Sequence, residues 1–365
     1  MDMLEYIKWR GDLTFDEREL NEIDSLIFST LCYEEFDDIL SDGDSYTIDE
    51  LAEIFFAMYE IEDLKKRINF SSRSYELLKA MKYTKRYGSL IVSHYVNEIN
   101  HELDLQFCAL TIENKEKWRY IAYRGTDDTI VGWKEDFSMI YRKEVLAQRK
   151  AVEYLEMRTK ETGIQKLFSK YRYYVGGHSK GGNLAMYAGA NVSADIQKKI
   201  KRIDNFDGPG FEDGFWQQES TYYVLDKIHT YIPTASLFGR LFIHKEKVSV
   251  VESKQVGLLQ HVSFNWSIDV DHFKYADSVS EGSDKAVNKV NELLKEINNE
   301  EKEELVESLF TLFDNLNIYT LNDITKINFN HVLIALKEIS ELNNKVRKVL
   351  LEILRVVWDI ADIGV

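Results

Sequence analysis

Residues 175–189 read Val-Gly-Gly-His-Ser-Lys-Gly-Gly-Asn-Leu-Ala-Met-Tyr-Ala-Gly and hold a G-x-S-x-G core at Gly177, Ser179 and Gly181. The aromatic and apolar run 171–175 predicts a buried strand, and 183–188 predicts a helix, so Ser179 falls on the sharp turn between them. Such a turn forces the serine into a strained backbone conformation. Gly177 and Gly181 remove side chains that would collide with the strand and the helix, and the hydroxyl then stands clear of the sheet. A bare G-x-S-x-G arises by chance and can be no more than a glycine-rich turn. The strand before it and the helix after it favour a nucleophile.

The rest of the chain supplies the elements such a turn needs. Residues 1–46 form an arm of mixed character with a short helix over 21–28. Thr47 and Glu50 fit a capping box, in which hydroxyl and carboxylate each satisfy a free backbone N–H, and open a helix through Leu51, Ile54, Phe55, Met58 and Ile61. Helical patterning persists to about residue 87. After Gly88 come β-rich runs at 107–112 and 118–123, a helical stretch containing Val145, Val152 and Leu155, and the nucleophile strand. Further β-rich runs follow at 203–206, from 222–225 through Ile232, and at 248–251. Strands alternating with helices predict an α/β fold with a largely parallel sheet covered on both faces. From about residue 280 the pattern is helical. Leu305, Leu309, Leu312, Phe313 and Leu316 form one apolar stripe, and Val332, Leu336, Ile339, Val346, Val349, Ile353, Val357 and Ile360 form another. The expected division is a helical, cap-like N-terminal region over 1–87, a catalytic core over 88–279 and a helical region over 280–365. Both helical regions are expected to pack on their own protein; a lid over Ser179, or a surface for a partner or membrane, are the other readings of their apolar faces.

A formal net charge of −16 argues against nucleic acid and anionic lipid headgroups as general partners, because a polyanion is repelled before contact, and leaves only a local basic patch open to them. Cys32 and Cys108 form neither a disulfide framework nor a metal-ligand spacing, which favours a reducing, cytoplasmic setting. The start carries early acids and no apolar core of a secretory signal, and no segment reaches the ~18 to 20 apolar residues of a membrane span. Peripheral membrane contact stays open, as does the oligomeric state.

A serine alone is inert. An elbow of this kind takes its partners in chain order serine, acid, histidine. Of the downstream histidines, His229 and His244 precede the run 248–251, read as the last core strand. His261, in the loop after that run, is the expected base, with His272 in reserve. Asp207 ends the run 203–206 and opens Asp-Gly-Pro-Gly, at the strand edge where catalytic groups of open α/β sheets gather. The same four residues also make a good turn with no chemistry. The backbone N–H groups of Thr126, in Tyr123-Arg-Gly-Thr126, and of Lys180, the residue after the nucleophile, are the expected oxyanion hole. Side chains on the elbow diverge, so Lys180 is expected to act through its backbone. Asp136, in Trp133-Lys-Glu-Asp136, is expected to brace Arg124.

Together, Tyr123-Arg-Gly-Thr126, Trp133-Lys-Glu-Asp136 and Gly177-His-Ser-Lys-Gly-Gly182 resemble the class 3, fungal-type lipases of the α/β-hydrolases over roughly residues 88–275. The opening Tyr6-Ile-Lys-Trp-Arg-Gly-Asp12, the lysine after the serine, Phe206-Asp-Gly-Pro-Gly-Phe211 and Gln260-His261 look like an uncharacterised bacterial lipase-like family, domain of unknown function 2974. The resemblance implies an α/β-hydrolase fold and a serine hydrolase acting on an acyl ester or thioester without metal or organic cofactor. Two departures matter. Where class 3 lipases place the triad acid this chain has Ser236, so either Asp207 takes over or the triad is reduced to a dyad. The family's leucine after the serine is Lys180, a charge expected near the mouth of the site and unfavourable for bulk fat. A non-catalytic hydrolase-like binding module is the competing reading, and a peptidase or acyltransferase a third.

Overall fold

The computed structural model describes residues 1–66, 73–115, 117–127, 130–160, 171–316, 339–340 and 342–362, with backbone alone at 130, 131, 258, 354 and 356–362. Eight strands form one sheet whose spatial order is their chain order. β1 (Ser45–Thr47), β2 (Ile91–Asn100), β3 (Leu105–Asn114) and β4 (Trp118–Tyr123) pair antiparallel. From β4 through β5 (Arg172–His178), β6 (Ile200–Phe206), β7 (Ile228–Pro233) and β8 (Lys247–Val251) every pairing is parallel. This is the mostly parallel, helix-flanked sheet of the α/β-hydrolase type. The antiparallel strands β1 and β2 were not legible in the pattern, β1 because three residues within a helical region carry no period.

Both faces of the sheet are covered, and the strands alternate between them with the period of two that a pleat imposes. Cys108, Leu110 and Ile112 of β3 and Trp118, Tyr120 and Ala122 of β4 enter one core with the N-terminal helices. Phe107 and Ala109 of β3 and Ile121 and Tyr123 of β4 enter the other, against helices Leu146–Thr159 and Lys180–Asn191. The N-terminal helices start as their caps dictate: Asn21 accepts from the N–H groups of Ile23 and Asp24, and Thr47 from that of Glu50. The expected strand at 222–225 is not one. Glu219–Tyr222 is a short helix and Leu225–Lys227 a 3-10 turn, and the strand begins at Ile228. Tyr222 and Tyr223 have β propensity but stand exposed, so there is no pleated surface for them to fit.

After the sheet come helices Glu281–Glu296, Asn299–Asn315 and Asn344–Asp362. Their apolar faces share a core with Ile140 and Leu237, and Trp133, Phe137, Leu241 and Phe242 pack at its edge. Val332 and Leu336 of the second expected stripe lie outside the described residues, as do the side chains of Val357 and Ile360. Among the described residues no helix is long and apolar enough to cross a membrane.

Within the N-terminal region a buried ion pair ties the arm to the residues that lead into β2. Arg86 donates from Nε and Nη2 to the two oxygens of Asp24, both side chains being fully buried, and also reaches the carbonyls of Leu13, Thr14, Arg18 and Glu19. Tyr87 donates a further bond to Asp24. Breaking such a pair from one side strands a charge, so Asp24→Asn should cost about 3 to 5 kcal/mol of stability. Urea unfolding measures it; an unchanged midpoint would mean that the arm is anchored elsewhere.

Candidate active site

Ser179 sits between the last residue of β5 and the first of the helix Lys180–Asn191, at φ 59° and ψ −132°. A non-glycine residue there carries roughly 1 to 3 kcal/mol of strain, which the surroundings must over-determine. They do so from three sides. The Ser179 N–H donates to the Phe206 carbonyl (2.8 Å) and its carbonyl accepts from Gly182 (2.9 Å). A Cβ on Gly177 would strike the Gly181 backbone, one on Gly181 the Tyr123 carbonyl, and one on Gly208 the Ser179 carbonyl. Asn183 donates to the carbonyls of Pro209 (3.0 Å) and Gly210 (3.1 Å), clamping the helix to the turn after β6.

Parallel register sets the other groups along the same edge. Tyr123 faces Gly177, His178 faces Phe206, and Phe206 faces Tyr231, so the residues just past β4, β5 and β6 converge. Asp207, the first residue past β6, is fully buried at φ 55°, with its N–H bonded to the Tyr231 carbonyl (2.8 Å). Its Oδ2 lies 2.6 Å from His261 Nδ1. Its Oδ1 accepts from the Ser236 hydroxyl and from the Gly239 N–H (3.2 Å). Ser236, at the position where the resembling lipases carry the acid, thus donates to Asp207.

His261 ends the 3-10 turn Gly257–His261. Gln260 secures that turn to the end of β7, its Oε1 accepting from the Thr234 hydroxyl (3.0 Å) and the Ala235 N–H (2.8 Å). His178 brings the ring to the elbow: the two imidazole centroids are 4.6 Å apart, and His178 Nε2 bonds the His261 carbonyl at 2.7 Å. A carbonyl can only accept, so His178 carries its proton on Nε2, and Nδ1 accepts from the Tyr33 hydroxyl at 3.0 Å. Burial, and then the neighbouring His261, push the His178 pKa down to about 3. His178 is a neutral spacer.

The segment after β4 reaches Ser179. A Cβ on Gly125 would stand 3.0 Å from the Ser179 Cβ, and closer to the Tyr33 hydroxyl and the His178 carbonyl. The Thr126 hydroxyl donates to Asp136. Lys180 is the first helical residue, and the N–H of that position has no acceptor within its own helix. Its side chain does not reach the mouth of the site, contrary to expectation. The ammonium is buried, 3.0 Å from the Gln106 carbonyl, 3.0 Å from Glu135 and 3.5 Å from Asp136. A buried cation needs carboxylates and finds two on the helix Ile130–Ser138. For the same reason the expected Asp136–Arg124 brace is absent. Asp136 serves Lys180 and Thr126, while Arg124 donates to Asn97 (2.9 Å) and approaches Asp127 (3.9 Å).

Ser179, Thr126, Lys180, Asp207 and His261 therefore meet at one edge of the sheet. His272 does not join them; its Nδ1 faces the neighbouring Asp271 at 3.5 Å. Sequence reasoning missed Tyr33, which carries no motif and lies 145 residues before its partner His178. Among the described residues no cluster of three or more His, Cys, Asp or Glu could hold a metal ion.

The mostly parallel, helix-flanked sheet is that of an α/β-hydrolase fold, and along one edge it carries a strained serine on a strand–helix turn, a buried aspartate–histidine pair and a glycine-threonine segment. Residues 81–311 match the Mbeg1-like family, a lipase-like family, and the chain belongs to it. Among solved structures it is similar to M37 lipase, at 14% identity and a TM-score of 0.36, over 60% of this chain and 70% of that one. No curated protein matches it.

His178 supplies a prediction independent of any substrate. Its folded pKa of about 3 lies below the ordinary 6.5, so the unfolded chain takes up a proton that the folded one refuses. Stability should fall as pH drops below about 6.5 and keep falling towards about 3. In His178→Gln that slope should lessen, and in the native protein the His178 ring resonances should stay fixed between pH 5 and 8; a titration there would contradict the neutral spacer.

Proposed function

We propose that the protein is a serine hydrolase that cleaves a carboxylic ester, with Ser179 as nucleophile, His261 as general base and Asp207 as the group that orients it. The observation that carries this reading is the 2.6 Å contact between Asp207 Oδ2 and His261 Nδ1, on the edge where the elbow holds Ser179. With Nδ1–H committed to the carboxylate, Nε2 is the nitrogen that takes the serine proton and later gives it to the leaving alcohol. Ser179 Oγ adds to the ester carbonyl, and the tetrahedral oxyanion is held by the N–H groups of Thr126 and Lys180, each typically worth about 3 to 4 kcal/mol of barrier. Collapse expels the alcohol and leaves an acyl-serine. Water, deprotonated by His261, then releases the acid and restores the enzyme.

Asp207 stands one strand earlier than the resembling lipases place their acid, and Ser236 occupies the vacated position. That arrangement supports a full triad over a dyad and over the binding-module reading, whose motive was the missing acid. With the Lys180 ammonium buried, its charge is no argument against an apolar acyl chain. The unbridged, buried Cys32 and Cys108 support a reducing compartment, which we take to be the cytoplasm.

A fluorophosphonate should label Ser179 in the native protein, and Ser179→Ala should abolish both the adduct and turnover of a p-nitrophenyl ester. Asp207→Asn should lower kcat about a thousandfold or more, since the imidazole then rests in the wrong tautomer. Turnover undiminished in Ser179→Ala would sink the assignment, and undiminished turnover in Asp207→Asn would remove Asp207 from the triad.

A further inference from the structure

The Lys180 side chain has no part in the reaction as written, yet its ammonium is the centre of a buried network that leads to the segment carrying one oxyanion donor. Two routes run from it. Through the first, Lys180 Nζ pairs with Asp136, whose other oxygen accepts from the Thr126 hydroxyl. Through the second, Lys180 Nζ bonds the Gln106 carbonyl and lies 3.5 Å from Gln106 Oε1, which accepts from the Asp127 N–H at 3.3 Å. Glu135 fixes the base of both: Oε2 accepts from Lys180 (3.0 Å) and from the Gln106 N–H (3.1 Å), and Oε1 from the Ala147 N–H (2.9 Å). Lys180 is also the residue whose backbone N–H is the other oxyanion donor. One residue thus carries one donor on its main chain and, through its side chain, holds the stretch that carries the second.

We propose that Lys180 is a positioning residue whose buried ammonium fixes residues 125–127 against the nucleophile elbow, setting the spacing of the two oxyanion donors. Its kinetic consequence rests on the esterase reading; its structural consequence does not. The pairing is maintained against burial. Desolvation works against the ammonium, but Glu135 and Asp136 overcome it and hold the Lys180 pKa above its ordinary value.

The test uses the full chain with Lys180→Met, which fills the volume and removes the charge, and Thr126→Val, which breaks one route while leaving lysine, both carboxylates and the backbone donor in place. Hydrogen–deuterium exchange should accelerate at 124–127 in both variants, with β4 and β5 as slow as in the native protein. For p-nitrophenyl butyrate, kcat should fall about tenfold to a hundredfold, the cost of a displacement near 1 Å, while KM stays within about threefold. Should Lys180→Met fail to fold, Thr126→Val alone decides. Native exchange at 124–127 together with native kcat in Thr126→Val would overturn the proposal. A native protein that fluorophosphonate does not label would overturn the esterase reading instead, and the exchange data would still judge the strut.

Discussion

The backbone of Ser179 is the constraint on which the site depends. A residue at φ 59° and ψ −132° returns to an ordinary conformation unless its neighbours forbid it. Here the prohibition is built from absences as much as contacts. Gly177 and Gly181 let β5 and its helix close to a distance that no Cβ would allow, and Gly208 lets the turn after β6 rest on the serine carbonyl. The bond from Ser179 N–H to Phe206 fastens the elbow to the strand that ends in Asp207. Ser179 and Asp207 are thereby fixed by one stretch of sheet, two neighbouring parallel strands in register, and only His261 must be delivered by a loop.

Delivery of that loop explains the polar groups around it. His261 arrives from beyond β8, a strand that borders β7 and not β6, so it needs anchors of its own. Gln260 supplies one at the end of β7, Trp266 bonds the Gln260 carbonyl, and His178 accepts the weight of the ring and bonds the His261 carbonyl. Each of these bonds is neutral, and none competes with Asp207 for Nδ1. Asp207 divides its oxygens, one to the imidazole and one to Ser236 and Gly239. A carboxylate held by donors on the far side cannot rotate away from the ring. Ser236 is therefore part of the mounting of Asp207, and under the proposed reading that mounting stands where a gap in the triad was expected.

What the sequence made legible was local. The elbow is a strand, a glycine-bounded serine and a helix within twenty residues, and Asp207 follows its strand directly, so both could be placed by pattern. His261 followed from chain order. The fate of side chains that travel was not legible. Lys180 was expected near the mouth because nothing adjacent to it in sequence suggests Glu135, Asp136 and the Gln106 carbonyl as partners; they meet only when β3 and the Ile130–Ser138 helix pack on the elbow. Tyr33 belongs to a helical arm with no motif, and its contact with His178 is a product of that arm lying across the sheet. The run at 222–225 misled for the opposite reason: aromatic residues suit a strand, but propensity does not decide where no neighbour offers a surface.

The buried lysine also bears on what the elbow gains. An aliphatic side chain after the nucleophile would bury without penalty, whereas an ammonium surrounded by protein must recover its lost hydration from its partners, and such exchanges often break even or worse. Stability alone therefore gives no reason for the cluster. Direction does, because dispersion contacts hold a surface at a distance but tolerate sliding, while hydrogen bonds to a charge fix angles as well. The segment that faces Ser179 is short, contains Gly125, and has little apolar surface with which to fix itself. The Thr126 hydroxyl, bonded to Asp136, and the Asp127 N–H, bonded to Gln106, give it two directional anchors, and both lead to Lys180, the residue next to Ser179.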